Sequence, residues 1–336
     1  TGLWVGTCQI LNNAVRVDGL FALVTAPLLA LPQRLRYLRA AGARPGQRFV
    51  VVGGTSVPSV ITSDDILLAG RRALVTGGAR GIGRATAEAL ASLGASVAVC
   101  DRLDSELAEA MSSVGEVGSA GPGADTFATL HEVLDVRDEG AVADFVERIA
   151  NEWGQLDILV NNAGGGFWAS FLDVSSKGRA ALIAENFTQV ADVTQRCVPL
   201  MTDGGSVVNV TSIEGHRAGP GFGIYSAMKA GVENLTRTLA LELSDRRIRV
   251  NAVAPDMIPT PGDADLAEAA EAMSGGDEWA MTPWPDEGTP DDVAGAIVWL
   301  CSPLSGFVTG TTVHVDGGTS AASGWKRRHD GGPWVL

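Results

Sequence analysis

The chain has 336 residues, 46% hydrophobic and 19% charged, which is apolar enough for a sizeable core and excludes a disordered protein. Residues 1–70 carry six arginines against three acids, and the rest carries 19 basic against 36 acidic residues, a balance of −17 that repels nucleic acid and anionic membrane. Cys8, Cys100, Cys197 and Cys301 lie far apart with no CxxC and the four histidines are scattered, so no metal site is expected and the thiols read as reduced and cytoplasmic.

Residues 1–65 read as an N-terminal extension without chemistry of its own. The chain opens on Thr1 and not on methionine, so this start is not taken as the natural one. The apolar run Gly19–Leu31 has 13 residues, short of the roughly 20 that span a bilayer. Asp18 before it and arginines after it make a poor signal peptide, so a packed or surface helix is expected and no integral membrane segment. Pro32–Arg48, with Arg34, Arg36, Arg39, Arg44 and Arg48 around Tyr37, reads as a solvated helix face, with membrane or partner docking as the alternative. Residues 49–63 give a short strand followed by turn residues.

From Leu67 onward strand-like runs alternate with helix-length segments. The strands are expected at Ala73–Thr76, Ser96–Cys100, Thr129–Val136, Leu156–Val160, Ser206–Val210, Ile248–Val253 and Thr312–Val315. Helices are expected at Ile82–Leu93, Ser105–Ser113, Glu139–Trp153, Arg179–Met201, Tyr225–Leu243 and Pro290–Cys301, with Gly115–Asp125 as a loop. This alternation implies βαβ units and an α/β fold, a doubly wound parallel sheet forming one domain over residues 66–320, with a tail over 321–336.

Between the first strand and the first helix stands Thr76-Gly77-Gly78-Ala79-Arg80-Gly81-Ile82-Gly83. Glycines there let the backbone approach a pyrophosphate, whose charge the helix N-terminus favours. Asp101 ends the second strand 18 residues past Gly83, where a carboxylate accepts ribose hydroxyls and repels a 2′-phosphate. That favours NAD over NADP, although Arg80 and Arg102 could hold such a phosphate. The alternative is that Asp101 only caps the next turn or pairs with Arg102.

These residues resemble the short-chain dehydrogenase/reductase family, including its 3-oxoacyl reductase-like and secondary-alcohol dehydrogenase members. Thr76–Gly83 is similar to its TGxxxGxG signature, Asn161-Asn162-Ala163-Gly164 to its NNAG motif, and Asp135-Val136 to its adenine-contacting pair. The resemblance runs from about Leu67 to Gly318 and implies a Rossmann-type sheet, a dinucleotide cofactor and a homotetramer or homodimer.

Tyr225-Ser226-Ala227-Met228-Lys229 is a YxxxK whose two side chains share one helical face. A free phenol has a pKa of about 10, and a neighbouring ammonium lowers it toward the working range. The family places a serine 13 residues before this tyrosine, which here is Ser212. The resemblance thus implies a tetrad of Asn186, Ser212, Tyr225 and Lys229. Tyr225 exchanges the proton, Ser212 binds the substrate oxygen, Lys229 also holds the nicotinamide ribose, and Asn186 holds a water behind Lys229. Tyr37 is the only other tyrosine and lies outside the matched region. Asn251-Ala252-Val253-Ala254-Pro255 matches a further family stretch except that Asp256 replaces the usual glycine, which would strain the loop if that position needs a positive φ. Pro255, Ile258 and Thr260 stand where the family holds the nicotinamide.

No lysine or arginine occurs between Arg249 and Lys326, while twelve acids do. This stretch holds the family's substrate lid, about residues 257–287, with Met257, Met273, Trp279, Met281 and Trp284. Acyl groups on an anionic carrier meet repulsion there, so a neutral, fairly apolar alcohol or ketone is expected. The alternative is a 3-oxoacyl thioester, with Arg217 and Lys326–Arg328 supplying positive charge. A non-catalytic dinucleotide sensor is the competing class, and the intact Tyr225–Lys229 pair argues against it.

Overall fold

In the computed structural model the chain divides into two compact units, Thr1–Thr62 and Ser63–Leu336. The structure describes residues 61–336 except 203, 257, 262–279, 281, 329 and 330, and before residue 61 only the backbone of five short strands. In the first unit Gln9–Leu11, Ala14–Val17 and Leu20–Leu23 form an antiparallel sheet, and Phe49–Val52 pairs with Thr55–Pro58. Leu20–Leu23 is therefore a strand, not part of a helix over Gly19–Leu31. Only Asp18-Gly19 separates Val17 from its partner Leu20, and Asp-Gly between apolar runs favours a two-residue hairpin. Cys8 and the basic segment Pro32–Arg48 lie outside the described residues.

The second unit is built on seven strands, β1 Arg72–Thr76, β2 Ser96–Asp101, β3 Thr129–Val133, β4 Ile158–Asn161, β5 Gly205–Val210, β6 Ile248–Pro255 and β7 Thr312–Val315. All pairs are parallel and the order is β3-β2-β1-β4-β5-β6-β7. The chain thus runs outward from β1 to β3 and then returns to the other flank of β1 as β4. Ligands bind doubly wound sheets in the crevice at such a reversal, outside the carboxyl ends of the strands.

Both faces are covered because successive strand residues point to opposite sides. Ala73 and Val75 join one apolar layer with α1 (Gly81–Ser92), α2 (Asp104–Ala120) and α7 (Pro290–Cys301). Leu74 joins the other with α3 (Glu139–Trp153), α5 (Gln189–Cys197) and α6 (Gly223–Glu242). Asp138 caps the start of α3 and Gly154, at φ 73°, ends it. Thr289 and Asp292 cap each other's turn at the start of α7, with Pro290 in its first turn. Cys100, Cys197 and Cys301 are free and buried, and burial pushes the Cys100 and Cys301 thiols up to about 12.

Helix α2 runs past its expected end. Helix α2 continues through Gly115 and Gly118 to Ala120, where a loop over Gly115–Asp125 is expected. A Cβ at Gly118 would stand 2.0 Å from the Phe127 ring, so this glycine serves a close contact and does not break the helix. The tail is a hairpin of Lys326–Arg328 with Gly331–Val335, and the Arg327 guanidinium lies 5.3 Å from the Trp334 ring centre. Among the described residues no helix is long and apolar enough to cross a membrane.

A buried polar lattice ties β4 and β5 to the helices beneath them. The Asn161 amide donates to Asn209 Oδ1 at 2.8 Å and Thr194 Oγ1 at 2.9 Å, and the Asn209 amide donates to Thr236 Oγ1 at 2.9 Å. Asn209→Ala leaves one hydrogen of the buried Asn161 amide without its acceptor and Thr236 Oγ1 without its donor, so we expect a loss of about 1–3 kcal/mol in urea unfolding. A change below about 0.5 kcal/mol contradicts the lattice's structural role.

Candidate active site

The glycine-rich turn and the NNAG segment are bonded to each other. Thr76 Oγ1 accepts the Asn162 and Ala163 N–H groups, each at 3.1 Å, and the Asn162 amide donates to the Thr76 and Gly77 carbonyls at 3.1 and 2.8 Å. Gly77 has φ +67°, and a Cβ at Gly83 would lie 2.0 Å from the Gly77 carbonyl oxygen. The turn therefore closes tightly over the start of α1 and leaves backbone, not side chain, facing the crevice.

One cavity of about 820 Å³ opens there. It is lined by Gly77, Arg80, Gly81, Ile82, Asp101, Arg102, Asp135, Val136, Asn162, Ala163, Gly164, Ser212, Tyr225, Lys229, Pro255, Ile258 and Thr260. Of the expected site residues only Gly83 and Asn186 stand behind its wall. Between Asp101 on β2 and Asp256 after β6 lie four strand spacings, about 19 Å, so the cavity has two distant ends.

At one end Asp101, 9% exposed, accepts the Ala79 N–H at 3.0 Å and the Leu103 N–H at 3.2 Å, one on each oxygen. It does cap the next turn, and each oxygen keeps a further lone pair toward the cavity. Arg102 faces Glu185 at 4.0 Å and not Asp101. β3 stops at Val133, so Asp135 lies in a turn, where its carboxylate is bonded to Arg137 and held below the usual range.

At the other end Ser212 leaves β5, its Oγ accepting the Glu214 N–H at 3.2 Å. Helix α6 brings in Tyr225, packed edge-on to Phe222 at 6.3 Å between ring centres, and Lys229, whose Nζ lies 5.5 Å from the tyrosine ring centre. The Lys229 ammonium donates to the Val210 carbonyl at 2.9 Å and is buried. Burial pulls its pKa down to about 8, with the Glu185 charge opposing. Asn186 is fully buried in a π-helical turn, Ala184–Thr188, between α4 (Ser176–Ile183) and α5. Its amide donates to the Gly165 and Leu182 carbonyls at 2.7 and 3.0 Å, and its Oδ1 accepts the Gly165 N–H at 3.3 Å. Asn186 thereby anchors the glycine loop that follows β4.

Asp256 is unstrained: among the described residues only Arg247 and Ser323 are non-glycine positions at positive φ. Its N–H donates to the Val315 carbonyl at 3.1 Å, and its side chain meets Arg217 at 3.5 Å. Met257, Met273, Trp279 and Met281 of the expected lid lie outside the described residues, and Trp284 is exposed. The aromatic wall of Phe167 and Phe222 and the carboxylate of Glu214 line the cavity too, although no motif in the sequence marks them. No group of metal-binding residues occurs among the described residues.

A family model described as enoyl-(acyl carrier protein) reductase matches residues 77–320. A 3-oxoacyl-[acyl-carrier-protein] reductase of Thermotoga maritima is 38% identical over 75% of this chain and 98% of its own. A cyclohexanol dehydrogenase of Rhodococcus is 37% identical over 76% of this chain and 98% of its own. The crystal structure of a carveol dehydrogenase from Mycobacterium avium in complex with NAD superposes with a TM-score of 0.65 at 29% identity, covering 76% of this chain and 99% of that one.

The Lys229 ammonium binds its proton more weakly in the fold, at about 8, than in an unfolded chain at 10.5. The unfolded state is the stronger proton binder between these values, so the burial penalty is constant below about pH 8 and fades as pH rises toward 10.5. In urea unfolding we expect the stability of Lys229→Met relative to wild type to fall between about pH 7 and pH 10. A difference that rises with pH contradicts the burial.

Proposed function

As the chain belongs to the short-chain dehydrogenase/reductase family, whose oxidoreductases act on CH–OH groups, we propose that it interconverts a secondary alcohol and a ketone with NAD, Tyr225 acting as general acid and base. The observation that carries this reading is the buried Lys229 ammonium beside Tyr225 at one end of a cleft whose other end is Asp101.

The residues fit a dinucleotide. The backbone cradle at Gly77–Gly83, where a Cβ has no room, suits a pyrophosphate at the start of α1. Asp101 offers acceptors to ribose hydroxyls and repels a 2′-phosphate, and Arg102 is turned to Glu185, which supports NAD over NADP. Asp135 and Val136 would flank the adenine, and Pro255, Ile258 and Thr260 the nicotinamide. When bound, the dinucleotide supplies or takes up the hydride.

Tyr225 gives its phenolic proton to the carbonyl oxygen as the ketone is reduced and takes it back as the alcohol is oxidised. Ser212 Oγ donates a hydrogen bond to the same oxygen. The Lys229 ammonium stabilises the phenolate, which brings a group of ordinary pKa about 10 toward neutrality. Asn186 has both amide hydrogens spent on carbonyls, so it would hold a water only through oxygen. The substrate is a neutral, fairly apolar alcohol or ketone: Phe167 and Phe222 offer apolar walls, and Arg217 is engaged by Glu214 and so offers little to a thioester carrier. A reducing cytoplasm suits the buried thiols, and a homotetramer or homodimer would cover the exposed Trp334–Leu336.

Tyr225→Phe should lower kcat for ketone reduction by about 10²–10⁴-fold while NADH still binds, measured by stopped-flow and fluorescence titration. A variant that keeps more than about a tenth of the wild-type rate contradicts the assignment of Tyr225.

A further inference from the structure

Three charged side chains stand at the reacting end of the cleft that proton exchange does not use. Arg217 Nε and Nη2 both donate to Glu214 Oε1, at 3.0 and 2.8 Å, and Nη2 lies 3.5 Å from Asp256 Oδ2. All three line the cavity with Ser212, Phe222 and Tyr225. The Asp256 side chain is only 10% exposed. Burial raises its carboxyl above the usual range, Arg217 opposes this, and the Glu214 and Asp316 charges add to it. Glu214 Oε2 is buried and makes no hydrogen bond.

The charges do not balance. Two carboxylates share one guanidinium, and that guanidinium already spends two donors on Glu214. An incoming anion beside these three side chains meets a net negative charge, and a carboxylate about 6 Å from Asp256 would lose affinity by about a hundredfold at an effective dielectric of about 20. An uncharged hydroxyl is different, because it brings no negative charge and can donate to a carboxylate oxygen, which has lone pairs for more than one donor.

We propose that Asp256, positioned by Arg217 and Glu214, determines specificity for the far end of the substrate: it accepts a hydrogen bond from a hydroxyl there and rejects a carboxylate. This rests on the alcohol–ketone reading of the same cleft. The substrate class is then an apolar hydroxyketone or diol, lying between Phe167 and Phe222, whose second oxygen meets Asp256.

Three ketones that share one ring and differ only at its 4-position test this: cyclohexanone, 4-hydroxycyclohexanone and 4-oxocyclohexanecarboxylate. Each is reduced with NADH by wild type, Asp256→Asn and Asp256→Gly, and its binding to each protein is measured by calorimetry with NAD present, which cannot reduce it. Wild type is expected to prefer the hydroxyketone over the carboxylate by about a hundredfold in kcat/KM. That preference should shrink at least about tenfold in both variants, since each removes the charge. A preference within about twofold of wild type in both variants overturns the proposal. So does failure of the hydroxyketone to bind wild type more tightly than the carboxylate. A wild type that discriminates in calorimetry but reduces none of the three keeps the subsite and refutes the alcohol–ketone reading for such substrates.

Discussion

The bonding between the β1 turn and the segment after β4 is the constraint on which the site depends. Thr76 and Asn162 stand 86 positions apart, yet they exchange hydrogen bonds through both side chains and both backbones. A parallel sheet can bring them together only after two outward crossovers and a return. Once β4 lies beside β1, the Asn162 amide fixes the carbonyls of Thr76 and Gly77, which keeps the turn's backbone facing the crevice. The same segment continues into Gly164–Gly166, which Asn186 anchors from below and against which the Tyr225 ring rests. One set of hydrogen bonds therefore sets the spacing between the two ends of the cleft.

Activity and stability pull in opposite directions at Lys229. A buried ammonium is costly, and among the described residues the Val210 carbonyl is what accepts from it. The Glu185 charge from the π-helical turn offsets part of that penalty. The sheet beneath compensates with the amide hydrogen bonds of Asn161 and Asn209 and with the small residues that let α1 pack closely on α7. Asp256 shows the same logic at smaller scale: a carboxylate nine-tenths covered persists because Arg217 and the Thr319 hydroxyl face it.

Much of the second unit was legible in the sequence, because a sheet covered on both faces writes continuous apolar runs and each run is followed by a segment of helical length. Val97 to Cys100 and Val207 to Val210 needed no other signal. The i,i+4 spacing put Tyr225 and Lys229 on one helical face, but Ser212 was legible only as a resemblance, since 13 positions along the chain say nothing of which atoms meet. Gly115 and Gly118 were misleading: their glycine content suggested a loop, but tertiary contact with Phe127 makes one of them a helical necessity. The strand at Leu20–Leu23 was hidden because a run of apolar residues carries no period, and only the Asp18-Gly19 pair distinguishes hairpin from helix. Nothing local foretold the π-helical turn at Asn186 or the meeting of the Glu214–Arg217 pair with Asp256, which come from two different segments of the fold.

The chemistry proposed for this cleft is hydride transfer between a nicotinamide and the carbon of a secondary alcohol. The most direct measurement mixes the full chain with NAD and a panel of neutral secondary alcohols and follows the near-ultraviolet absorbance of the reduced nicotinamide. The band is expected to grow with at least one apolar alcohol in the panel, and the matching ketone to reverse it with NADH. Saturable binding of NAD, together with no absorbance change from any alcohol or ketone in the panel, would contradict it.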